Sequence, residues 1–196
     1  MTTPTLRAAR LTLMPPFMYE KMDVSNYLRW LHDPVVMQYS EQRHRKHTEA
    51  SQYEYLCSFQ SGDNYFWDIH FDGTHIGTAS AFRDADNKTA NMGILIGVKQ
   101  YWSRGLGCEA WEAISHYLFD SGTRKIEAGC MANNKAMIRI LDKLQFTHEA
   151  IIHGHFLVRG QPQDMHLYGK FRTAKVISIN QKTGQATQTE TTSNGS

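Results

Sequence analysis

The segment that most constrains the fold of this chain is the nearly continuous apolar run ANMGILIGV at residues 90–98. A strand with one face in water alternates apolar and polar residues, whereas an unbroken apolar run is typical of a central strand covered on both faces. Helices on both sides of a sheet define an α/β fold. The run therefore predicts a central strand of an α/β domain, and a helical pattern at residues 106–119 follows it after a turn.

Strand and helix patterns alternate along the rest of the chain. Asp72-Gly73 is a strong hairpin signal between two of the strands. The patterns predict strands at residues 6–14, 65–71, 75–82, 125–132, 146–158 and 165–171, helices at 23–32, 135–144 and from 48 to about 60, and a polar loop at 40–47. Together they predict an α/β single domain with a mixed, mostly antiparallel central sheet of about seven strands flanked by helices.

The last segment of the chain has a different composition. A chain of 196 residues is the ordinary size of one domain, and we predict that this domain spans residues 1–172. Residues 173–196 are rich in Thr, Gln, Ser, Gly and Asn and contain no aromatic residue. Such a segment buries too little apolar surface to offset the entropy of ordering it, so we expect a disordered polar tail.

Charge and hydropathy exclude several classes of protein. The formal net charge is +2, which gives no support to a nucleic-acid partner. No apolar run approaches the roughly 20 residues that a membrane-spanning helix needs. The N-terminal residues MTTPTLRAAR contain no apolar segment of the kind found in signal peptides. We therefore expect a cytoplasmic protein without membrane or nucleic-acid partners, acting as a monomer or a homodimer.

The spacing of cysteines and histidines does not indicate a metal site. Cys57, Cys108 and Cys130 show no CxxC spacing, and the ten histidines are not grouped with carboxylates. We expect reduced thiols and no metal. Because Cys108 stands at a predicted helix start, the helix dipole is expected to lower the pKa of its thiol.

The turn after the apolar run carries the strongest chemical signal. In Arg104-Gly105-Leu106-Gly107, glycines allow backbone N–H groups to approach an anion, and the helix start adds unpaired donors. The turn predicts a pyrophosphate site, although glycines also close many strand-to-helix turns that bind nothing. It lacks the GxxxxGK[ST] pattern, and its position after a late strand argues against a dinucleotide-binding unit.

Two motifs in order resemble the GNAT superfamily of acetyl-CoA-dependent N-acetyltransferases, on the branch similar to ribosomal-protein N-terminal acetyltransferases. The family turn [QR]xxGx[GA] corresponds to residues 102–107. The second motif, NxxSxxxLxKxGF, is matched at Asn134, Leu141, Lys143 and Phe146. The likeness extends over residues 6–172.

The resemblance implies an acetyl-CoA site between two splayed strands. It implies that the pantetheine arm pairs with the backbone around Ile96 and Val98, and that Asn134 hydrogen-bonds the cofactor from the other side. It also implies that a free amide near Ile96 stabilises negative charge on the reacting carbonyl. The resemblance further assigns the pyrophosphate to the amides of Ser103, Arg104, Gly105, Leu106, Gly107 and Cys108.

The sequence departs from the family motifs at several positions. Trp102 replaces Gln or Arg, and Gln145 replaces a glycine. Met137 replaces the serine of the branch, and Leu141 replaces a tyrosine of other members, so neither position can donate a proton to the leaving thiolate. A thiol with a pKa near 8.5 leaves without that help. These departures nevertheless raise the alternative of a catalytically weak or inactive acyl-CoA-binding module.

The group that accepts the proton of the amine is not fixed by the sequence. Asn91 stands where many relatives have a glutamate, and it can hold a water but cannot act as a base. Glu127 is the leading candidate, with Asp68 and His70 as further candidates, although a strand carboxylate often only pairs with Lys or Arg. We therefore assign the catalytic role to Glu127 and Asn91.

The acceptor is expected to lie against the basic segment RHRKH at residues 43–47. Arg43, Arg45 and His155 are the candidate substrate residues, and their charge suits an anionic acceptor such as a nucleotide-linked amino sugar. The branch resemblance instead implies a protein N-terminus. A basic loop that is merely solvated remains an alternative. The reaction expected is direct attack of a primary amine on acetyl-CoA, which makes the protein an N-acetyltransferase.

Overall fold

The computed structural model describes residues 3–16, 24–179 and 186–191, the segments after residue 173 by their backbone alone. The strands are β1 (Leu6–Arg7), β2 (Leu11–Met14), β3 (Tyr65–Phe71), β4 (Thr74–Asp84), β5 (Thr89–Ile96), β6 (Lys125–Met131), β7 (Thr147–Val158), β8 (Gln161–Phe171), β9 (Ala174–Ile179) and β10 (Ala186–Thr191). The α-helices are α1 (Ser25–Leu31), α2 (Glu49–Cys57), α3 (Leu106–Asp120) and α4 (Lys135–Lys143).

The central sheet has eight strands in the order β1-β2-β3-β4-β5-β6-β8-β7. Only the pair of β5 and β6 is parallel, so the prediction of a mixed, mostly antiparallel sheet is confirmed. The single strand predicted at residues 6–14 is instead a hairpin, in which Leu6 lies opposite Leu13. The Ala8 N–H donates to the Leu11 carbonyl at 2.9 Å and closes the turn. This hairpin raises the strand count from about seven to eight.

Both faces of the sheet are covered, as the apolar run predicts. On one face, α3 packs Trp111, Ile114 and Leu118 into the main core, and Ile94 of β5 packs against that core. On the opposite face, Leu95 packs beside Trp30 of α1. Consecutive side chains of β5 therefore point into two different apolar clusters, which is the reason that this strand has no polar alternation.

The basic segment before α2 is folded rather than an open loop. Residues Glu41–His44 form one 3₁₀ turn, and the His47 side chain is only 7% exposed. Nε2 of His47 bonds the Gln42 carbonyl at 2.9 Å, and its Nδ1 lies 3.1 Å from the Gln52 amide. The sequence pattern missed this because the turn is held by side chains rather than by an apolar period. Residue 23, the predicted start of the first helix, lies outside the described residues.

The expected disordered tail contains two described segments. β9 and β10 pair with each other in an antiparallel two-stranded sheet that is separate from the main sheet. The polar composition led us to expect disorder there, but VISI and TQTET are rich in β-branched residues, which favour extended backbone. Residues 180–185 and 192–196 lie outside the described residues. A domain that ends near residue 172 stays a prediction.

Removal of residues 173–196 is expected to leave the free energy of unfolding of the domain almost unchanged. The reason is that β9 and β10 pair with each other and add no strand to the main sheet. Thermal unfolding of the full chain and the shortened chain measures this, with an expected shift in Tm below about 2 °C. A fall of more than about 5 °C would mean that the tail packs on the domain.

Candidate active site

The central feature of the site is the divergence of β5 and β6. The two strands pair over only three positions, Thr89 with Lys125, Ala90 with Ile126, and Asn91 with Glu127. Beyond this point β5 stays paired with β4 as far as residue 96, while β6 stays paired with β8 as far as residue 131. The strands therefore separate in the middle of the sheet and leave an opening with a free strand edge on β5.

The backbone of β5 turns alternate residues toward this opening. The Gly97 N–H donates to the Ile76 carbonyl of β4 at 2.9 Å, so the neighbouring alternate positions, Ile94 and Ile96, direct their backbone groups away from β4. Val98 does not take part as expected: its N–H donates to the Ile76 carbonyl at 3.2 Å, and its carbonyl accepts the Tyr101 N–H. Ile94 and Ile96, rather than Ile96 and Val98, offer the open edge.

Trp102 occupies part of that edge. Its indole Nε1 donates to the Ile96 carbonyl at 2.7 Å, and the ring is 36% exposed. The sequence identified Trp102 only as a departure from the family motif, because a hydrogen bond from a turn back to a strand end depends on the path of the chain. The bond ties the turn after β5 to the end of the strand.

The turn after β5 presents the start of α3 to the opening. Ser103 and Gly105 both have left-handed backbone, with φ of 60° and 77°. Gly105 is the N-cap, and no side chain caps it. The first bond within the helix runs from the Glu109 N–H to the Gly105 carbonyl, so the N–H groups of residues 106–108 have no acceptor within the helix. Such a helix start attracts an anion.

The side chains at the turn fix its position. Leu106 and Cys108 are buried in the core, and a Cβ on Gly107 would lie 3.3 Å from Cδ1 of Ile140 in α4. The Arg104 guanidinium lies over the Tyr101 ring, 5.4 Å from its centroid. The predicted turn residues 103–108 are thus together at the mouth of the opening, with a cation at their edge.

The Cys108 thiol differs from expectation. Burial raises the pKa of Cys108, and this effect exceeds the opposing charge of Lys143. The sequence argument considered only the helix dipole, whereas the side chain points into the core and is 8% exposed. The prediction of a lowered pKa was wrong, and the backbone amide of Cys108 is its contribution to the turn.

Asn134 lies across the opening, where β6 ends and α4 begins. It is the N-cap of α4, and its Oδ1 accepts the Met137 N–H at 3.1 Å. Its Nδ2 is therefore the group that can donate to a ligand. Leu141 is fully buried in the core, and neither Met137 nor Leu141 brings a proton donor to the opening, as the sequence indicated.

Glu127 and Asn91 lie opposite each other at the last paired position, on the face of the sheet that α1 covers. The Glu127 Oε1 is 3.1 Å from Nζ of Lys125, which also donates to Glu149 at 2.8 Å. Burial lowers the pKa of Lys125, but the hydrogen bonds with Glu149 and Glu127 outweigh burial and raise that pKa overall. Glu127 is therefore paired with a lysine, the alternative that the sequence left open.

A second polar cluster lies on the same face, behind the end of β5. Nε2 of His75 is 3.0 Å from the Gly77 carbonyl and 3.4 Å from Oδ1 of Asp68. Because a carbonyl only accepts, Nε2 carries the proton and Nδ1 is left as the basic nitrogen. His70 stacks on His75 with centroids 5.0 Å apart. Burial, reinforced by His75, lowers the pKa of His70 and keeps it neutral. The sequence named Asp68 and His70 but missed His75.

Trp30 connects this cluster to the open strand. Its ring contacts His75 edge-on at 4.8 Å, and a Cβ on Gly97 would lie 1.9 Å from Cδ2 of Trp30. Gly77 lies opposite Ile96 in the sheet. The indole of Trp30 therefore contacts both His75 and the backbone at the end of β5.

The candidate substrate residues do not form one cationic surface. The Arg43 side chain is 16% exposed and pairs with Glu41 at 2.8 Å. It also donates to the carbonyls of Ser40 and Leu157, which joins the segment to the end of β7. Arg45 is exposed. His155, also exposed, is on β7, where its ring contacts Phe156.

Comparison with known proteins identifies the family. A family profile described as "Acetyltransferase (GNAT) domain" matches residues 10–147, more than half of the chain. The chain belongs to this family. It is therefore an N-acetyltransferase, of a family that takes its acetyl group from acetyl-CoA, as the sequence motifs indicated. No curated protein matches the chain in sequence.

Solved structures share the fold at low identity. A GNAT-family acetyltransferase from Bacillus anthracis has a TM-score of 0.72 at 19% identity, over 86% of this chain and 99% of the other. RimL, a ribosomal-protein alpha-N-acetyltransferase in complex with coenzyme A, has a TM-score of 0.74 at 15% identity, over 86% and 98%. MccE, a microcin C7 self-immunity acetyltransferase in complex with acetyl-CoA and AMP, has 0.71 at 17%, over 83% and 93%.

Two further findings concern the described part of the chain. It contains no group of three or more His, Cys, Asp or Glu side chains arranged to hold a metal ion. None of its helices is long and apolar enough to cross a bilayer.

The buried thiols are expected to react slowly with iodoacetamide at pH 7.5. Burial raises the pKa of Cys108, and it raises that of Cys130 to about 11, so both stay protonated at this pH, whereas Cys57 is partly exposed. Mass spectrometry of the alkylated protein should find Cys57 modified at least ten times faster. Because the shifts are upward, labelling of Cys108 should increase only at alkaline pH. Preferential labelling of Cys108 at pH 7.5 would contradict this assignment.

Proposed function

We propose that this enzyme transfers the acetyl group of acetyl-CoA to a primary amine, the N-terminal amine of a peptide or protein, by direct attack. The observation that carries the proposal is the open edge of β5 that ends at the unpaired amides of the α3 start. An extended arm with amide groups suits a free strand edge, and a pyrophosphate suits a helix start. Both requirements are met within a few residues of chain.

The residues that would hold acetyl-CoA follow from these contacts. The carbonyl of Ile94 and the N–H of Ile96 would pair with the pantetheine arm, because the carbonyl of Ile96 is already bonded by Trp102. The amides of residues 103–108 would hold the pyrophosphate. The Nδ2 of Asn134 would donate a hydrogen bond to acetyl-CoA from the β6 side of the opening. When bound, acetyl-CoA supplies the activated acyl group and a thiolate leaving group.

The backbone N–H of Ile94 is suited to stabilise negative charge on the reacting carbonyl. It points into the opening, and a strand amide fixed by the sheet needs no reorganisation. With Met137 and Leu141 in the motif positions, the leaving thiolate takes its proton from solvent or from the incoming ammonium.

We assign proton uptake from the amine to Nδ1 of His75, with Asp68 as its positioning residue. An aliphatic ammonium is not a nucleophile, so a base is needed, and imidazole is the side chain that serves most often at neutral pH. The Gly77 carbonyl and Asp68 fix the tautomer that leaves Nδ1 basic. Glu127, held by Lys125, is the weaker candidate, and Asn91 opposite it can hold a water.

A peptide N-terminus is favoured over an anionic amino sugar as the acceptor. Arg43, the central cation of the expected anion site, is neutralised by Glu41 and bonded to two backbone carbonyls. Arg45 and Lys46 remain as exposed cations, but they leave only one arginine for bidentate recognition of a phosphorylated acceptor. The likeness in fold to RimL agrees with this choice.

The test is release of free CoA from acetyl-CoA, measured by chromatography, against N-terminal peptides, polyamines and nucleotide-linked amino sugars. We expect release that depends on a peptide. Gly105→Asp should abolish it, because the change adds a carboxylate at the pyrophosphate turn. Gly73→Asp is the matched control, since Gly73 has the same backbone conformation, with φ of 73°, in the β3–β4 hairpin, where nothing lies within 4 Å of a Cβ at that position.

The outcomes separate the alternatives. Release triggered only by the amino sugars would mean that the acceptor is an amino sugar and not a peptide. Binding of acetyl-CoA with no release for any amine would favour the inactive acyl-CoA-binding module. If acetyl-CoA does not bind, the assignment of the turn and the opening is wrong.

Substitution of the two candidate bases should have unequal effects. His75→Gln is expected to lower kcat about a hundredfold and Asp68→Asn about tenfold, with the KM for acetyl-CoA within threefold, because general base catalysis contributes about 10²–10⁴. His70→Gln is the control for loss of a neighbouring imidazole and should cost less than threefold. A larger loss in Glu127→Gln than in His75→Gln would transfer the role to Glu127.

A further inference from the structure

The turn between β1 and β2 contacts the start of α3 through Arg10, a residue to which the sequence assigned no role. The Arg10 backbone N–H donates to Oε1 of Glu109 at 2.6 Å, and its Nε donates to Oε2 at 2.8 Å. Its Nη1 and Nη2 both lie 3.3 Å from the Arg104 carbonyl. One residue thus hydrogen-bonds both Arg104 in the turn before α3 and Glu109 in the helix itself. These partners lie 94 and 99 residues further along the sequence.

The turn has a backbone that needs external support. Ser103 has φ of 60° without being glycine, and Gly105 has φ of 77°. Left-handed conformations of non-glycine residues persist where surrounding contacts impose them. The Arg104 carbonyl lies between these two residues, and Arg10 is the side chain that bonds it. Arg10 therefore holds the turn at its centre.

The charge of Glu109 gives Arg10 a second effect. Glu109 is in the first turn of α3, where the helix dipole favours a carboxylate, and its side chain is only 14% exposed. An unneutralised carboxylate there would repel an anion bound at the same helix start. The Arg10 guanidinium pairs with it at 2.8 Å and also lies near Gly105, where a Cβ would be 3.7 Å from Nη2.

We propose that Arg10 is a positioning residue for the pyrophosphate of the donor: it fixes the Ser103–Gly105 backbone and cancels the charge of Glu109. The proposal rests on the function proposed above, since it presumes that the α3 start binds the pyrophosphate. It assigns to Arg10 a specific part of the donor, the phosphates, and no part of the acetyl transfer itself.

The experiment compares two donors in steady-state kinetics with the peptide acceptor, acetyl-CoA and S-acetylpantetheine, which lacks the pyrophosphate. Arg10→Ala should raise the KM for acetyl-CoA about tenfold or more and change kcat less than threefold. With S-acetylpantetheine, kcat/KM should stay within twofold of the wild type. Arg7→Ala is the matched control, an exposed arginine of the same hairpin, and should change neither donor.

A double variant isolates the charge effect. Removing Glu109 together with Arg10, as R10A/E109A, leaves no unpaired carboxylate at the helix start, so the KM for acetyl-CoA should recover at least threefold relative to Arg10→Ala. A purely structural ion pair would give no such recovery. If Arg10→Ala does not fold, Arg10→Gln, which keeps a donor for the Arg104 carbonyl but removes the charge, provides the same comparison between donors.

The results distinguish failure of this proposal from failure of the proposed function. If the wild type uses neither donor with any amine, the function itself is wrong. If the wild type is active and Arg10→Ala lowers kcat/KM equally for both donors, or for neither, the proposal for Arg10 is overturned while the function stands.

Discussion

The early end of the β5–β6 pairing is the constraint on which the rest of the site depends. After three parallel pairs, β5 remains paired with β4, and β6 remains paired with β8. The backbone groups of β5 and β6 that face each other beyond this point therefore cannot hydrogen-bond to one another. Unpaired backbone groups inside a sheet are costly unless something bonds them. Here Trp102 bonds one carbonyl of β5, and the remaining groups of Ile94 and Ile96 are available to a ligand that itself resembles a strand. The opening is therefore a break in the strand pairing of the sheet, and it is the place where we propose that acetyl-CoA binds.

The turn at the mouth of this opening is held in place by contacts with distant parts of the chain. Trp102 ties it to β5, Arg10 ties it to the β1–β2 hairpin, and Arg104 lies on the Tyr101 ring. Donors that are fixed before binding lose little conformational entropy when an anion arrives. The buried side chains of Leu106 and Cys108 also fix the position of the turn. Cys108 therefore contributes to packing, although it stands at a helix start.

The face on which we propose that the amine binds has several of its charges paired within the protein. Arg43 is bonded by Glu41, and Lys125 by Glu127 and Glu149. What remains near the end of β5 is an imidazole, His75, whose tautomer is set by a carbonyl. A face of this kind suits recognition of a neutral main chain better than recognition of a phosphorylated acceptor. Among the cations at residues 43–47, Arg43 is paired in this way, whereas Arg45 and Lys46 are exposed.

The sequence by itself determined the features that depend on neighbouring residues: the central strand from its apolar run, the turn before α3 from its glycines, and the helix at residues 135–144 from its amphipathic period. Only the tertiary structure decided which backbone groups are free, how residues far apart in sequence meet, and how deeply a thiol is buried. It left the edge of β5 open at Ile94 and Ile96 rather than at Val98. It also reversed the expected pKa shift of Cys108 and brought Arg10 to the turn before α3. The physical reason is that periodicity and turn chemistry are local properties, whereas hydrogen-bond partners and desolvation depend on how the whole chain packs.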